Sequence, residues 1–278
     1  MTVGLVTDST AYMPDAVTGA YDIEVVPVQV IIDGEAFNES DTLTTDHIAQ
    51  AFAANKDVTT SRPSPEQFVA AFNELIERGC TEIVSVHLSS ELSGTYESAL
   101  LASQRVDVPV HVIDSRLIGM AMGWAIESGA QLASQGASGS AVAAHIQARC
   151  SRSHIWFSVD TLEYLQRGGR IGAVQARIGG VLSVKPILTM VDGRVESLEV
   201  VRTTTKATQR LVDIAFSAAT DDSDFAVHFV GESERAESIA QTLCEKLGLA
   251  SITVTPAGAV VGVHTGPGTV AIAMTPRV

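Results

Sequence analysis

Residues 83–113, IVSVHLSSELSGTYESALLASQRVDVPVHVI, indicate the fold class of the protein. A run of apolar and β-branched residues ends at Leu88 and another begins at Val110, as is typical of buried strands. Between them, residues 94–104 predict a helix. A strand, a helix and a second strand in this order indicate a parallel pair of strands joined by a crossover helix.

The same alternation of strands and helices extends over the first half of the chain. Its clearest helix signal is SPEQ, in which Ser64 fits the N-cap, Pro65 the first helical position and Gln67 the capping-box partner. The predicted strands lie near residues 3–7, 24–32, 83–88 and 110–113, and the predicted helices near 14–18, 45–54, 64–79, 94–104, 115–132 and 138–150. This order predicts a mostly parallel sheet covered by helices.

The second half of the chain has a different pattern. Residues 186–191 and 195–202 predict a hairpin, with Asp192-Gly193 as its turn. Further strands and helices alternate up to a closing strand near residues 269–274. We therefore expect an α/β protein with two domains, an N-terminal α/β domain at 1–151 and a mixed C-terminal α/β domain at 152–278.

The charge of the chain excludes some partners. The formal net charge is −14, which makes nucleic acid a poor partner because nonspecific binding needs a field of Lys and Arg. Residues 152–210, however, contain nine basic and five acidic side chains. That segment either faces an anion or is a solvated surface with a few ion pairs.

The sequence also indicates the compartment. The three cysteines are odd in number and far apart, which supports neither a disulfide framework nor a close-spaced zinc site. The first residues lack the basic and long apolar regions of a secretory signal, and polar residues interrupt every candidate membrane span. We expect a soluble cytoplasmic protein with no stable membrane insertion.

Three segments combine hydroxyl groups or glycines with the ends of predicted strands, and we interpret each as a loop. They are residues 59–61, residues 89–95 and the GVHTGPG segment at 262–268. Such loops gather at one edge of a parallel sheet, where helix N-termini offer unpaired N–H groups. Together they predict a site for a phosphate or carboxylate that needs no metal.

Each of these segments has a simpler interpretation as well. Ser93 is either part of the anion site or the N-cap of the helix that follows. His264 is a donor to an anion, a proton shuttle or a histidine that packs in a loop. The methionine-rich helix near residues 117–126 either lines a tunnel for a hydrocarbon or packs in the core.

Motifs for catalysis and cofactors are missing from the sequence. There is no glycine-x-serine-x-glycine elbow around Ser93, so we treat a serine hydrolase as the weakest hypothesis. No phosphate-loop lysine, dinucleotide-binding glycine pattern or H-E-x-x-H metal motif occurs. We expect no catalytic residue, no metal and no cofactor.

Seven blocks of sequence, in this order, resemble the DegV family of fatty-acid-binding proteins. They are TDSTAYMP (7–14), TTSRPSPEQF (59–68), LSSELSGTYESA (88–99), VIDSRLIGMAMG (112–123), DTLEYLQRGGRI (160–171), VLSVKPIL (181–188) and GVHTGPGTVA (262–271). The resemblance implies two α/β domains with a long-chain fatty acid buried between them. It also implies a partner, an ATP-dependent kinase subunit resembling dihydroxyacetone kinase, which converts the presented carboxylate to an acyl phosphate.

The resemblance assigns roles to residues of this chain. Thr60 or Ser61, together with Ser93, would hydrogen-bond the carboxylate. Gly94 and Thr95 would contribute backbone donors. Arg170 and His264 would frame the same head group.

Arg202 matches an arginine expected near the phosphoryl-transfer surface, but Thr203-Thr204-Thr205-Lys206 departs from the more basic run usual there.

Three hypotheses follow for the function of the chain. The first is a non-catalytic carrier that presents a fatty acid to the kinase subunit. The second is a freestanding lipid or small-anion carrier or sensor with no kinase partner. The third is a hydrolase that uses Ser93.

Overall fold

The computed structural model describes residues 2–39, 43–172, 174 and 184–277. The helices are α1 (Asp15–Ala20), α2 (Thr45–Ala53), α3 (Pro65–Glu77), α4 (Thr95–Ser103), α5 (Met120–Ser134), α6 (Gly139–Cys150), α7 (Glu163–Arg167), α8 (Thr204–Ala218), α9 (Glu234–Leu247) and α10 (Ala259–Thr265), with a 3-10 helix at Ser9–Ala11. The strands are β1 (Val3–Asp8), β2 (Glu24–Val26), β3 (Gln29–Ile32), β4 (Glu35–Asn38), β5 (Val58–Ser61), β6 (Glu82–His87), β7 (Val110–Asp114), β8 (His154–Ser158), β9 (Lys185–Val191), β10 (Arg194–Val201), β11 (Ser223–Phe229), β12 (Thr253–Pro256) and β13 (Val270–Pro276). Part of the VLSVKPIL block, residues 181–183, lies outside the described residues.

These strands form sheets of two kinds. The first half contains a parallel sheet in the order β2-β1-β6-β7, and a small antiparallel sheet in the order β4-β3-β5. The second half contains a mixed sheet in the order β10-β9-β8-β13-β11-β12, in which only the β11–β12 pair is parallel among the described strands. The predicted fold class, a mostly parallel sheet flanked by helices followed by a mixed α/β half, is confirmed. A division into domains 1–151 and 152–278 stays our proposal.

Helices and sheets alternate in layers. Helices α3 and α4 cover one face of the parallel sheet, and α5 and α6 lie between its other face and the mixed sheet. Helices α8 and α9 cover the outer face of the mixed sheet. In α5, Met120, Met122 and Ile126 are completely buried, and each contributes about 1.5–3 kcal/mol by leaving water. These three side chains belong to the core cluster and line no part of the cavity described below, whereas Ile118 and Gly119, just before the helix, do line it.

The start of α3 follows the predicted capping box. Ser64 Oγ accepts a hydrogen bond from the Gln67 backbone N–H at 3.4 Å, and Gln67 Oε1 accepts one from the Ser64 N–H at 2.9 Å. These bonds satisfy donors that have no partner inside the helix, and Pro65 removes another of them. The apolar side chains that follow, Phe68 and Phe72, pack in the core under the parallel sheet.

Two predicted elements were wrong in their bounds. The strand predicted at 24–32 is split into β2 and β3, which belong to different sheets, because Pro27 has no N–H for a ladder. The helix predicted from Ser115 begins only at Met120. Asp114 accepts a hydrogen bond from the Arg116 N–H at 2.9 Å, and both Arg116 (φ 57°) and Gly119 (φ 68°) have positive φ angles that interrupt a helix.

Candidate ligand-binding site

A cavity of about 310 Å³ lies between the inner face of the mixed sheet, helix α10 and the loops that follow the parallel sheet. Its volume falls in the usual range for small-molecule sites. Most of its lining is apolar: Val28, Leu88, Leu92, Ile118, Ile155, Phe157, Leu165, Met190, Val195, Phe229, Ala257, Val260, Val261 and Ala271. Polar groups converge at one end, so the cavity suits a ligand with a long apolar part and a polar head.

The mixed sheet forms a floor that is long enough for an extended chain. Lining residues stand on five neighbouring strands: Val195, Met190, Phe157, Ala271 and His228. The strand registers pair Val195 with Met190, Phe157 with Ala271, and Ala271 with His228. Because neighbouring strands lie about 4.8 Å apart, four such spacings extend for about 19 Å.

Thr60 and His264 meet at the polar end of the cavity. Thr60 Oγ1 lies 2.8 Å from His264 Nε2, and both side chains line the cavity. Burial, together with the nearby Arg170 guanidinium, lowers the pKa of His264 to about 4. The imidazole is therefore neutral near pH 7, which makes it a hydrogen-bonding group and removes the basis for a proton shuttle at that pH.

Ser93 lines the same end of the cavity just before α4. Its Oγ lies 2.8 Å from Thr95 Oγ1, and the helix has Gly94 as its N-cap with no side-chain capping bond. The N-cap interpretation of Ser93 was therefore wrong. The N–H groups of the first turn of α4 have no acceptors inside the helix. Thr95 itself is buried, does not line the cavity and contacts Ser93.

Arg170 supplies a positive charge at the polar end. Its Nε donates to the Leu92 carbonyl at 3.0 Å and its Nη1 to the Gly168 carbonyl at 2.6 Å. These bonds hold the guanidinium between α7 and the segment before α4. Within the described part of the chain, no carboxylate forms an ion pair with Arg170.

Arg62 is a cavity residue that sequence reasoning missed. Its guanidinium lies against Gly94, where a methyl group on Gly94 would overlap it. Arg62 stands inside the TTSRPSPEQF block, of which only Thr60 and Ser61 had been assigned to the site, and the residues from Ser64 onwards to the start of a helix. A basic residue beside two candidate hydroxyl groups was the signal that could have identified it.

Several sequence predictions need correction or placement. Thr60 and Ser61 end a strand, β5, and His264 lies on helix α10, so neither segment is the loop that was predicted. Ser61 lines the cavity, but its hydroxyl donates to the Arg62 carbonyl. Arg202 is exposed just after β10 and does not line the cavity. The structure thus leaves Arg202 apart, places Thr95 beside the cavity, and brings the other predicted site residues to its lining: Thr60, Ser61, Ser93, Gly94, Arg170 and His264.

The geometry does not favour hydrolase chemistry at Ser93, because the hydroxyl contacts Thr95 rather than a histidine. An Asp–His–Ser array does exist elsewhere: His87 lies 3.1 Å from Asp8 and 2.7 Å from Ser85. All three side chains are completely buried. A substrate cannot reach Ser85, so this array holds β1 and β6 together.

The described residues contain neither a metal cluster nor a membrane-spanning helix. No group of three or more His, Cys, Asp or Glu side chains has the arrangement of a metal site there. Every helix in that part of the chain is too short or too polar to span a membrane.

Comparisons with known proteins identify the family. The family model described as "Uncharacterised protein, DegV family" matches residues 2–277. The chain is 42% identical to the DegV domain-containing protein SCO2569 of Streptomyces coelicolor over 277 residues, 99% of each chain. A fatty-acid-binding DegV family protein from Thermus thermophilus has a TM-score of 0.93 at 33% identity, with all of both chains covered. A stearic acid-binding protein from Eubacterium ventriosum has a TM-score of 0.89 at 26% identity, covering 99% of this chain and 98% of its own. The chain therefore belongs to the DegV family, whose members include fatty-acid-binding proteins.

Proposed function

We propose that this protein binds a long-chain fatty acid in the cavity and presents its carboxylate to a separate ATP-dependent kinase subunit. The observation that carries the proposal is the division of one cavity into an apolar body and a polar end. The fatty acids bound by relatives from T. thermophilus and E. ventriosum support the class of ligand. In this proposal the protein is a carrier and catalyses no step itself.

The polar end matches the needs of a buried carboxylate. A carboxylate that leaves water must receive hydrogen bonds or meet a cation, and Arg170 with the hydroxyl groups of Thr60 and Ser93 supplies both. With its proton on Nε2, His264 donates to Thr60 Oγ1 and leaves the Thr60 hydroxyl proton for the ligand. We therefore assign the threonine role to Thr60 rather than to Ser61, whose hydroxyl has another acceptor.

The apolar body matches a long acyl chain. Its floor of about 19 Å extends under most of the length of an extended long acyl chain. Each buried methylene group contributes about 0.8 kcal/mol to binding. Together these contributions give the acyl part most of the affinity, while the polar end fixes the orientation.

The role of Arg202 belongs to the second step. This residue is exposed after β10, outside the cavity, where it is accessible to a partner. We propose that Arg202 lies at the phosphoryl-transfer surface, where the kinase subunit transfers the γ-phosphoryl group of ATP to the fatty-acid carboxylate.

A freestanding lipid carrier is the second candidate. The structure of the segment after Arg202 favours it. Thr203 caps α8 there, because its hydroxyl oxygen accepts a hydrogen bond from the Lys206 N–H at 3.2 Å. That segment is thus built to start a helix and has only one basic residue, Lys206, for contact with an acidic partner.

Native mass spectrometry of protein purified without detergent tests the binding step. We expect a co-purified mass that matches a long-chain fatty acid, and an empty protein that cannot be loaded would contradict the proposal. Addition of a dihydroxyacetone kinase-like subunit and ATP then tests presentation, with acyl phosphate as the expected product. Bound lipid without acyl phosphate would favour the freestanding carrier.

We also propose a cytoplasmic location. Cys80, Cys150 and Cys244 are all free thiols, which agrees with a reducing compartment.

A further inference from the structure

A single aromatic ring separates the ligand cavity from a neighbouring cleft. The cleft has a volume of about 580 Å³ and is lined by Ser9, Met13, Val25 and Glu39, among others. Among the described residues, only Tyr12 and Ala257 line both the cavity and the cleft. Since alanine contributes only a methyl group, the ring of Tyr12 forms most of the side-chain wall between them.

Two contacts and the backbone conformation hold this ring in place. Tyr12 ends the 3-10 helix at Ser9–Ala11 with a positive φ of 50°, which directs its side chain away from the helix. The phenol hydroxyl lies 3.5 Å from Glu39 Oε1, and the ring makes an edge contact with His228 at 5.8 Å between centroids. Burial and the Glu39 carboxyl raise the pKa of Tyr12, so the phenol stays protonated as a donor.

The ring faces the acyl part of the ligand rather than the head group. His264, which belongs to the polar end, lies near the C-terminus of α10. Glu39, the partner of Tyr12, accepts a hydrogen bond from the Val260 N–H at the N-terminus of the same helix, at 2.8 Å. These two positions are only four residues apart on α10, but the ring of Tyr12 contacts His228 on β11, at one edge of the floor. Gly172, two residues after Arg170, lies against Val195 on β10, at the other edge about 19 Å away.

We propose that Tyr12 determines the length of acyl chain that this protein accepts, by closing the cavity against the cleft. This inference rests on the proposed fatty-acid binding. A chain that fits the closed cavity ends before the ring. A longer chain has to leave methylene groups exposed or displace the ring from Glu39 and His228. Removal of the ring joins the two spaces and gives the end of a longer chain a place beside Ala257.

The test compares the chain-length preference of Tyr12 variants with that of the wild type. Delipidated protein is offered an equimolar series of saturated fatty acids of increasing length, and native mass spectrometry measures the share of each in the bound fraction. We expect Tyr12→Ala to shift this distribution towards longer chains, with a relative gain on the order of tenfold for two further buried methylene groups. Tyr12→Phe keeps the ring and should keep the wild-type distribution.

Two further variants make the result decisive. Tyr12→Gly removes the ring and suits the positive φ of this position, so it reports on the wall if the alanine variant is unstable. Val25→Ala enlarges the cleft without opening the wall and should leave the distribution unchanged.

A wild-type distribution in stable Tyr12→Ala or Tyr12→Gly protein that still retains fatty acid would overturn the role of Tyr12 alone. Wild-type protein that retains no fatty acid of any length would instead overturn the proposed function. The two failures are therefore distinguishable in one experiment.

Discussion

Thr60 Oγ1 and His264 Nε2 lie 2.8 Å apart, although 204 residues separate them in the chain. This contact joins β5 of the small antiparallel sheet to α10 of the second half, and both residues face the cavity. It couples the folding of the two halves to the geometry of the site.

Thr60→Val tests that coupling because it keeps the shape of the side chain and removes the hydroxyl. His264 Nε2 loses its partner, and we expect a loss of about 1–3 kcal/mol in the free energy of unfolding. We also expect weaker retention of the fatty acid. Urea denaturation measures the first effect and native mass spectrometry the second. Thr59→Val, at the exposed neighbour of Thr60, is the matched control and should change neither.

Ser93→Ala removes the hydroxyl that we assign to the carboxylate. A hydrogen bond to a charged group contributes about 1.5–3 kcal/mol, so we expect roughly 10- to 100-fold weaker binding. Isothermal titration of delipidated protein measures this change. Ser103→Ala, on the same helix, removes a hydroxyl that bonds only the Leu100 carbonyl in the described structure. Equal affinities of the two variants would contradict the assignment of Ser93.

Arg170→Gln and Arg202→Gln should separate binding from presentation. Arg170 lines the cavity, so its loss should weaken fatty-acid retention. Arg202 lies outside the cavity, so Arg202→Gln should retain the lipid and instead slow acyl-phosphate formation with the kinase subunit. The measurements are lipid occupancy and the rate of ATP-dependent acyl-phosphate formation. A loss of lipid from the Arg202 variant would show that this residue belongs to the binding site instead.

Gly94→Ala should affect the cavity more than the fold. The backbone of Gly94 has a φ of −73°, which alanine adopts without strain, but the new methyl group would overlap the flexible guanidinium of Arg62. We expect a change of less than about 1 kcal/mol in stability together with a displaced Arg62 and weaker carboxylate binding. A crystal structure of the variant and its binding isotherm would check both effects. An unmoved Arg62 would contradict this prediction.

Acid should destabilise the protein through its buried imidazoles. Burial lowers the pKa of His228 to about 4, and burial with the Arg170 charge does the same for His264. At these two sites the unfolded chain takes up protons below about pH 6.5 while the folded chain does not, so their contribution to stability is complete above that pH and falls between about 6.5 and 4. Burial raises the pKa of Glu39 to about 7, and this carboxyl acts in the opposite direction, so the comparison with a histidine variant isolates the imidazole effect. Each residue accounts for up to about 3 kcal/mol. Urea denaturation of the wild type and of His264→Gln over this pH range should show a flatter pH dependence for the variant.

The sequence predicts local features well where neighbouring residues determine them. The strand at 83–88, the helix that follows it and the Ser64–Gln67 capping box all depend on nearby side chains, and the structure contains them. The split at Pro27 was missed because an uninterrupted β-branched pattern continues on both sides of the proline. Such a pattern does not tell which sheet a strand joins.

The site itself depends on contacts that are distant along the chain. The hydroxyl-rich segments were identified by their position at the ends of predicted strands. The family resemblance suggested that four residues share one site: Thr60, Ser93, Arg170 and His264. Residue patterns alone do not reveal that His264 lies on a helix, that it pairs with Thr60, or that Arg62 packs on Gly94. These facts arise from tertiary packing, which local periodicity does not record.

The position of β13 has a consequence for synthesis of the protein. This strand lies in the interior of the mixed sheet between β8 and β11, and its Ala273 belongs to the same core cluster as α5. Until the ribosome has made residues 270–276, α5 has no complete surface to cover on that side, and the floor of the cavity has a gap at Ala271. Domains often fold as they emerge from the ribosome, but this arrangement delays the last packing step. The nascent chain therefore cannot complete the cavity before residues 270–276 have emerged from the ribosome.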